Sequence, residues 1–198
     1  MVKAGAAVLV SGGGTNLQAL IDAEKRGELP HAELALVVSN RVGAYALERA
    51  AAAGIEAVHI DNDGRFEERL LKLLKDRGID IIVLAGFLRI LSPEFVSMYE
   101  GRIINVHPSL IPSFCGKGFY GLRVHEAALA RGVKVTGATV HIVNSEPDGG
   151  PILLQKAVEI MEGDTPEILQ KRVMREAEWV LLPKALELLA EQLVINNY

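Results

Sequence analysis

The chain of 198 residues has a single cysteine, Cys115, so an internal disulfide is impossible and a reducing compartment, the cytoplasm, is expected. Aromatic residues make up only 5% and no stripe interleaves them with basic side chains. With a formal net charge of -4, that argues against a nucleic-acid surface. No apolar run approaches the ~20 residues of a membrane helix, so no membrane partner is expected. The short run Ala4–Val10 could mimic a signal peptide. It leads into Ser11-Gly-Gly-Gly14 instead of a cleavage-like site, and it reads as a first strand. His31, His59 and His125 are scattered and no spacing matches a ligand set, so no metal is expected.

The composition, 49% hydrophobic and 23% charged, fits a soluble globular chain. At this size roughly 70% of the extended surface can be buried without a disulfide or metal. One domain over residues 1–198 is expected, with no repeat or linker.

Apolar runs alternate with helix-like stretches through the first two-thirds. Strands are expected at Ala6–Val10, Leu34–Ser39, Glu56–Ile60, Ile79–Ala85 and Ile103–Val106. Helices are expected at Asn16–Arg26, Ala44–Ala53, Phe66–Arg77 and after Ser92-Pro93, with Gly54 and Gly78 as stop signals. That alternation predicts an α/β fold: an open, mainly parallel twisted sheet with helices on both faces. Beyond His107 the rhythm changes. Pro108–Gly121 reads as a long loop with a task, followed by a helix at Val124–Arg131. Val135–Val143 and Ile152–Ile160 form an antiparallel C-terminal strand pair, and Asp164-Thr-Pro-Glu167 opens one long helix to about Leu193.

Candidate chemistry sits in two places. Ser11-Gly-Gly-Gly-Thr-Asn16 follows the first strand and opens the first helix, where glycines let backbone N–H groups approach an anion at the positive end of the helix dipole. A mononucleotide-type phosphate is the favoured ligand over a merely tight turn. A dinucleotide fits less well, because Leu17 stands where a third glycine would fall and Ser39-Asn40-Arg41 offers no acid after the second strand. The second place is Asn105-Val-His107-Pro-Ser109, at the end of a buried strand, with Asp148-Gly-Gly-Pro151 downstream. An amide can stabilise an oxyanion, an imidazole can move a proton, and a carboxylate can orient or charge that imidazole: a set suited to acyl transfer to an amine. Asn105 and His107 share one side of an extended strand. His107 could instead be a structural histidine, and Asp148 an ordinary turn aspartate. His141 reads as supporting structure. Gly86-Phe-Leu-Arg-Ile-Leu91 follows the fourth strand and could line a pocket for a flat, partly apolar ligand or simply pack beneath a short helix.

Taken together, Gly12–Leu17, Phe87–Pro93, Asn105–Pro112, Thr139-Val-His141 and Asp148-Gly-Gly-Pro151 closely resemble the phosphoribosylglycinamide formyltransferases (GAR transformylases) of the folate-dependent formyltransferase superfamily. The resemblance runs from about Val8 to the last helix. It implies a Rossmann-like formyltransferase fold and formyl transfer from 10-formyltetrahydrofolate to glycinamide ribonucleotide, by a monomer or homodimer. It further implies Asn105, His107 and Asp148 as the catalytic trio, and Gly13, Gly14, Thr15 and Asn16 on the substrate phosphate. Leu88, Arg89, Ile90 and Leu91, with Asn105, Asn144, Glu146 and Arg65, would contact the folate, and Glu178 the substrate. Trp179 replaces the histidine that commonly follows that glutamate, and the spacing before it is one residue longer. Methionyl-tRNA formyltransferases and formyltetrahydrofolate hydrolases are expected to carry further domains beyond this core. A sugar-nucleotide N-formyltransferase matches the glycine loop less well, and a non-catalytic nucleotide-binding module would not need the trio.

Overall fold

The structure is a computed structural model and describes residues 3–196. The first strand, β1 (Ala4–Val10), is buried at every position, as expected for a parallel strand covered on both faces. It is followed by α1 (Thr15–Lys25), β2 (Ala32–Ser39), α2 (Tyr45–Ala52), β3 (Glu56–His59), α3 (Phe66–Asp76), β4 (Ile81–Leu84), α4 (Pro93–Met98) and β5 (Ile103–His107). Then come α5 (Leu122–Arg131), β6 (Val135–Ile142), β7 (Ile152–Glu159), α6 (Pro166–Val173), a π-helical turn (Met174–Glu178) and α7 (Trp179–Asn196). Among the described residues no helix is long and apolar enough to cross a membrane.

All seven strands lie in one sheet, ordered β3-β2-β1-β4-β5-β6-β7. β1 to β5 run parallel, while β6 is antiparallel to both β5 and β7. The two-residue period of β1 divides the core. Ala6, Val8 and Val10 pack with Leu17 and Leu20 of α1 and Leu182 and Leu186 of α7. Ala7 and Leu9 face the other way, onto Phe66, Leu70 and Leu74 of α3 and Phe95 of α4. Helix starts follow local chemistry: Ser92 Oγ accepts from Phe95 N at 3.1 Å and Thr165 Oγ1 from Ile168 N at 3.4 Å, each ahead of a proline at the first helical position.

One expectation fails. The single long helix from residue 164 is interrupted by the π turn, where Trp179 N–H reaches back five residues to the Met174 carbonyl. Pro183, inside α7, has no N–H to offer the Trp179 carbonyl, so regular winding is already weakened there. Glu178, the last residue of this wider turn, lies buried at 6% exposure.

The chain leaves β1 towards β2 on one side and returns to β4 on the other. The loops after β1 and β4 therefore diverge, opening a crevice at the carboxyl ends of the strands.

Candidate active site

That crevice is a cleft of about 490 Å³. Its floor is the Gly12–Asn16 loop, one wall is Ala85–Ile90, and a second is Asn105–Pro108 at the end of β5. Residues 116–121, Asp148 and Glu178 close it from above.

Asn105 and His107 stand two residues apart on β5, paired across the ladder with His141 and Thr139 of β6. Asn105 Nδ2 lies 3.2 Å from His141 Nε2 and 3.5 Å from Asp148 Oδ1. His107 Nδ1 and His141 Nε2 are each 3.5 Å from one oxygen of Asp148. A backbone carbonyl can only accept, so the contacts of His107 Nε2 with Phe114 O (2.9 Å) and of His141 Nδ1 with Ile142 O (3.0 Å) fix a proton on each of those nitrogens. Gly116 N donates to Asp148 Oδ2 at 2.8 Å. The long loop thus grips both His107 and Asp148, and Thr139 Oγ1 anchors it by donating to Ser109 O at 2.7 Å. Burial opposes the charge of Asp148. The hydrogen bond from His141, the charge of His107 and the Gly116 amide outweigh it, and the carboxyl is held below the ordinary aspartate range. Asp148 itself has φ 56. The turn that presents it closes so tightly that a Cβ on Gly150 would lie 1.8 Å from the Ile142 carbonyl oxygen.

At the other end, Gly14 has φ 73 and caps α1, and a Cβ there would meet Ala46 Cβ at 2.6 Å. Gly12 and Gly13 would meet nothing within 4 Å: their open side leaves room for an anion. Asn16 Nδ2 donates to Glu178 Oε2 at 2.7 Å, and Asn16 Oδ1 is buried without a partner. Burial raises the Glu178 carboxyl to about 7, the Asn16 bond only partly offsetting it.

The structure brings Gly13, Gly14, Thr15, Asn16, Leu88, Arg89, Ile90, Asn105, His107, Asp148 and Glu178 to one cleft. It does not bring the other four of the proposed contacts there. Arg65 is exposed at the start of α3 and pairs with Glu68 at 3.0 Å. Leu91 packs into the core beside Phe95, because the segment turns inward to enter α4. Asn144 and Glu146 are exposed and shape the turn before Asp148, Glu146 N donating to Asn144 Oδ1 at 3.0 Å. Sequence reasoning left out His125, Gln170 and Met174, all of which line the cleft. The four-residue spacing of Gln170, Met174 and Glu178 was a usable signal for one helix face. His141, read from the sequence as supporting structure, touches both Asn105 and Asp148.

The crevice at the switch point of this α/β sheet gathers an amide, two imidazoles and a carboxylate beside a glycine loop, a set of groups chemically suited to acyl transfer. The formyl transferase family profile matches residues 5–186. Trifunctional purine biosynthetic protein adenosine-3 of Gallus gallus is 45% identical over 193 residues, covering 95% of this chain but 18% of that protein. Phosphoribosylglycinamide formyltransferase of Haemophilus influenzae is 40% identical over 190 residues, 93% of this chain and 86% of that one. The crystal structure of glycinamide ribonucleotide transformylase 1 from Symbiobacterium toebii matches with a TM-score of 0.88 at 41% identity, over 96% of this chain and 89% of that chain. The chain belongs to the formyl transferase family.

Proposed function

We propose that residues 1–198 act as a single formyltransferase domain that transfers the formyl group of 10-formyltetrahydrofolate to the amine of glycinamide ribonucleotide, in purine biosynthesis. The likeness to relatives and structures bearing that activity in their names supports this reading. The observation that carries it is the meeting of Asn105, His107 and Asp148 within 3.5 Å of one another or of shared partners, in the same cleft as the glycine loop. Its partners are the two small molecules, its compartment the cytoplasm, and its working form a monomer or homodimer.

The cleft suits both substrates. The open backbone of Gly12 and Gly13 at the start of α1 accommodates a phosphate. Leu88 and Ile90, 52% and 74% exposed beside the cleft, offer apolar surface that a flat folate ring would cover.

In the reaction the acceptor amine adds to the formyl carbon, the new carbon–nitrogen bond forms, and the carbonyl oxygen becomes an oxyanion. Asn105 Nδ2 stabilises that oxygen, and His107, whose Nε2–H is given to the Phe114 carbonyl in this structure, becomes a second donor when it redirects that proton to the oxyanion; one such donor is worth about 10²–10³-fold. The amine must lose a proton and the departing folate nitrogen must gain one as its bond to carbon breaks. Asp148, held ionised by its neighbours, accepts and relays that proton, a role worth about 10²–10⁴-fold.

The test is a direct assay of formyl transfer to glycinamide ribonucleotide, run beside methionyl-tRNA, an amino-sugar nucleotide and water alone. Transfer to the ribonucleotide supports the reading. Faster reaction with another acceptor reassigns the substrate. Binding of both ligands with no transfer to any acceptor would make the chain a non-catalytic module.

A further inference from the structure

The glycine loop is held from outside by α2. Ala46 N donates to the Gly12 carbonyl at 3.1 Å, and Arg49 Nε donates to the Gly13 carbonyl at 2.8 Å. Arg49 is itself fixed. Its Nη1 donates to Gln18 Oε1 at 2.9 Å, Gln18 Nε2 donates to Asp22 Oδ1 at 2.9 Å, and the guanidinium lies 4.9 Å from the centre of the Tyr45 ring. The contact has no slack, since Ala46 occupies the space that a side chain on Gly14 would need.

This arrangement has a directional consequence. In a planar trans peptide the carbonyl and the following N–H point opposite ways. With the Gly12 and Gly13 carbonyls drawn towards α2, the N–H groups of Gly13 and Gly14 are turned away from it, to the cleft side. Among the described residues neither of these N–H groups donates to a protein acceptor. Arg49 also sets a permanent positive charge one peptide away from the proposed anion position.

We propose that Arg49 is the positioning residue of the phosphate cradle: by holding the Gly13 carbonyl it aims the Gly14 N–H at the substrate phosphate, and its charge strengthens the pull on that anion. The inference rests on Gly12–Asn16 binding the phosphate of glycinamide ribonucleotide, so the experiment carries a control for that reading. The purified full chain and its Arg49→Gln, Arg49→Lys and Thr15→Ala variants are compared in kcat, in KM for each substrate, and in inhibition by ribose 5-phosphate.

Arg49→Gln should raise KM for the ribonucleotide about tenfold and weaken ribose 5-phosphate equally, while kcat and the folate KM stay within about twofold. Arg49→Lys should recover part of the loss, because an ammonium can reach the Gly13 carbonyl but cannot bond Gln18 in the same fork. A raised ribonucleotide KM in Thr15→Ala with none in Arg49→Gln overturns the role of Arg49 alone. Unmoved values in both overturn the phosphate cradle. A parallel loss in both substrates' KM and in kcat would make Arg49 a brace for the fold and also overturn the inference. Should Arg49→Gln fail to fold, Arg49→Lys carries the test, and an unchanged ribonucleotide KM there rejects it.

Discussion

Asn16 Nδ2 donates a 2.7 Å hydrogen bond to Glu178 Oε2 inside the cleft wall, joining side chains 162 positions apart in the chain. The bond ties the first helix to the π turn before the last, and it leaves Glu178 as a buried carboxyl with its titration raised by desolvation to about 7. A carboxyl whose folded value lies above its unfolded 4.5 binds its proton more tightly when folded, so stability falls as pH rises from 4.5 to about 7 and is level beyond. Glu178→Gln should remove that fall. Denaturant unfolding should show equal stability near pH 4.5 and a variant more stable on the order of 3 kcal/mol at pH 8. A gap independent of pH would contradict the assignment.

His125 presents the opposite sign. It is fully buried, neither ring nitrogen has a partner, and desolvation, with the charge of His107, lowers it to about 4. Below pH 6.5 the unfolded chain takes up a proton that the folded chain refuses, so stability drains away as pH falls from 6.5 towards 4. His125→Leu, close in volume, should reduce that acid-side loss by about 2 kcal/mol. Thermal unfolding of both proteins at pH 7 and pH 5 measures it, and parallel acid losses would show that another group is responsible.

Asp148 should be sensitive in rate more than in fold. Its lowered value means the stability it contributes is present above 3.8 and is lost only as pH falls below that. Asp148→Ala and His107→Ala should each lower turnover at least tenfold, as expected for losing a positioned proton carrier or oxyanion donor, while circular dichroism at pH 7 is unchanged. Near-normal rates would remove these groups from the chemistry.

The glycines of the first loop should separate stability from binding. Gly14→Ala forces a side chain into positive φ against Ala46 and should cost about 2 kcal/mol, a fall in Tm of roughly 4–8 °C. Gly13→Ala meets open space, so its Tm should hold while the affinity for the phosphorylated substrate drops. A Tm loss in Gly13→Ala equal to that of Gly14→Ala would refute the distinction.

Much of the architecture was legible beforehand. The sheet of parallel strands, the antiparallel pair at its end and the helix starts at Ser92 and Thr165 follow from periods and caps that act over a few residues. Asn105 and His107 were legible as partners for the same reason, since positions two apart on a strand share a face. Where the side chains of Arg65, Leu91, Asn144 and Glu146 stand was not legible, because whether a side chain near a loop faces a cleft, the core or water depends on how that loop closes. His125, on α5, offered no local sign that its buried ring would face the site.

The sequence by itself determined where most strands and helices form, which faces they bury, and which strand end carries Asn105 and His107: these are short-range consequences of side-chain alternation and backbone capping. Only the tertiary structure decided that Asp148 reaches both His107 and His141, that a π turn directs Glu178 onto Asn16, and that Arg49 grips the glycine loop. Each of those depends on distances between distant segments, which are set by the closure of loops and the packing of two cores, not by any neighbouring residue.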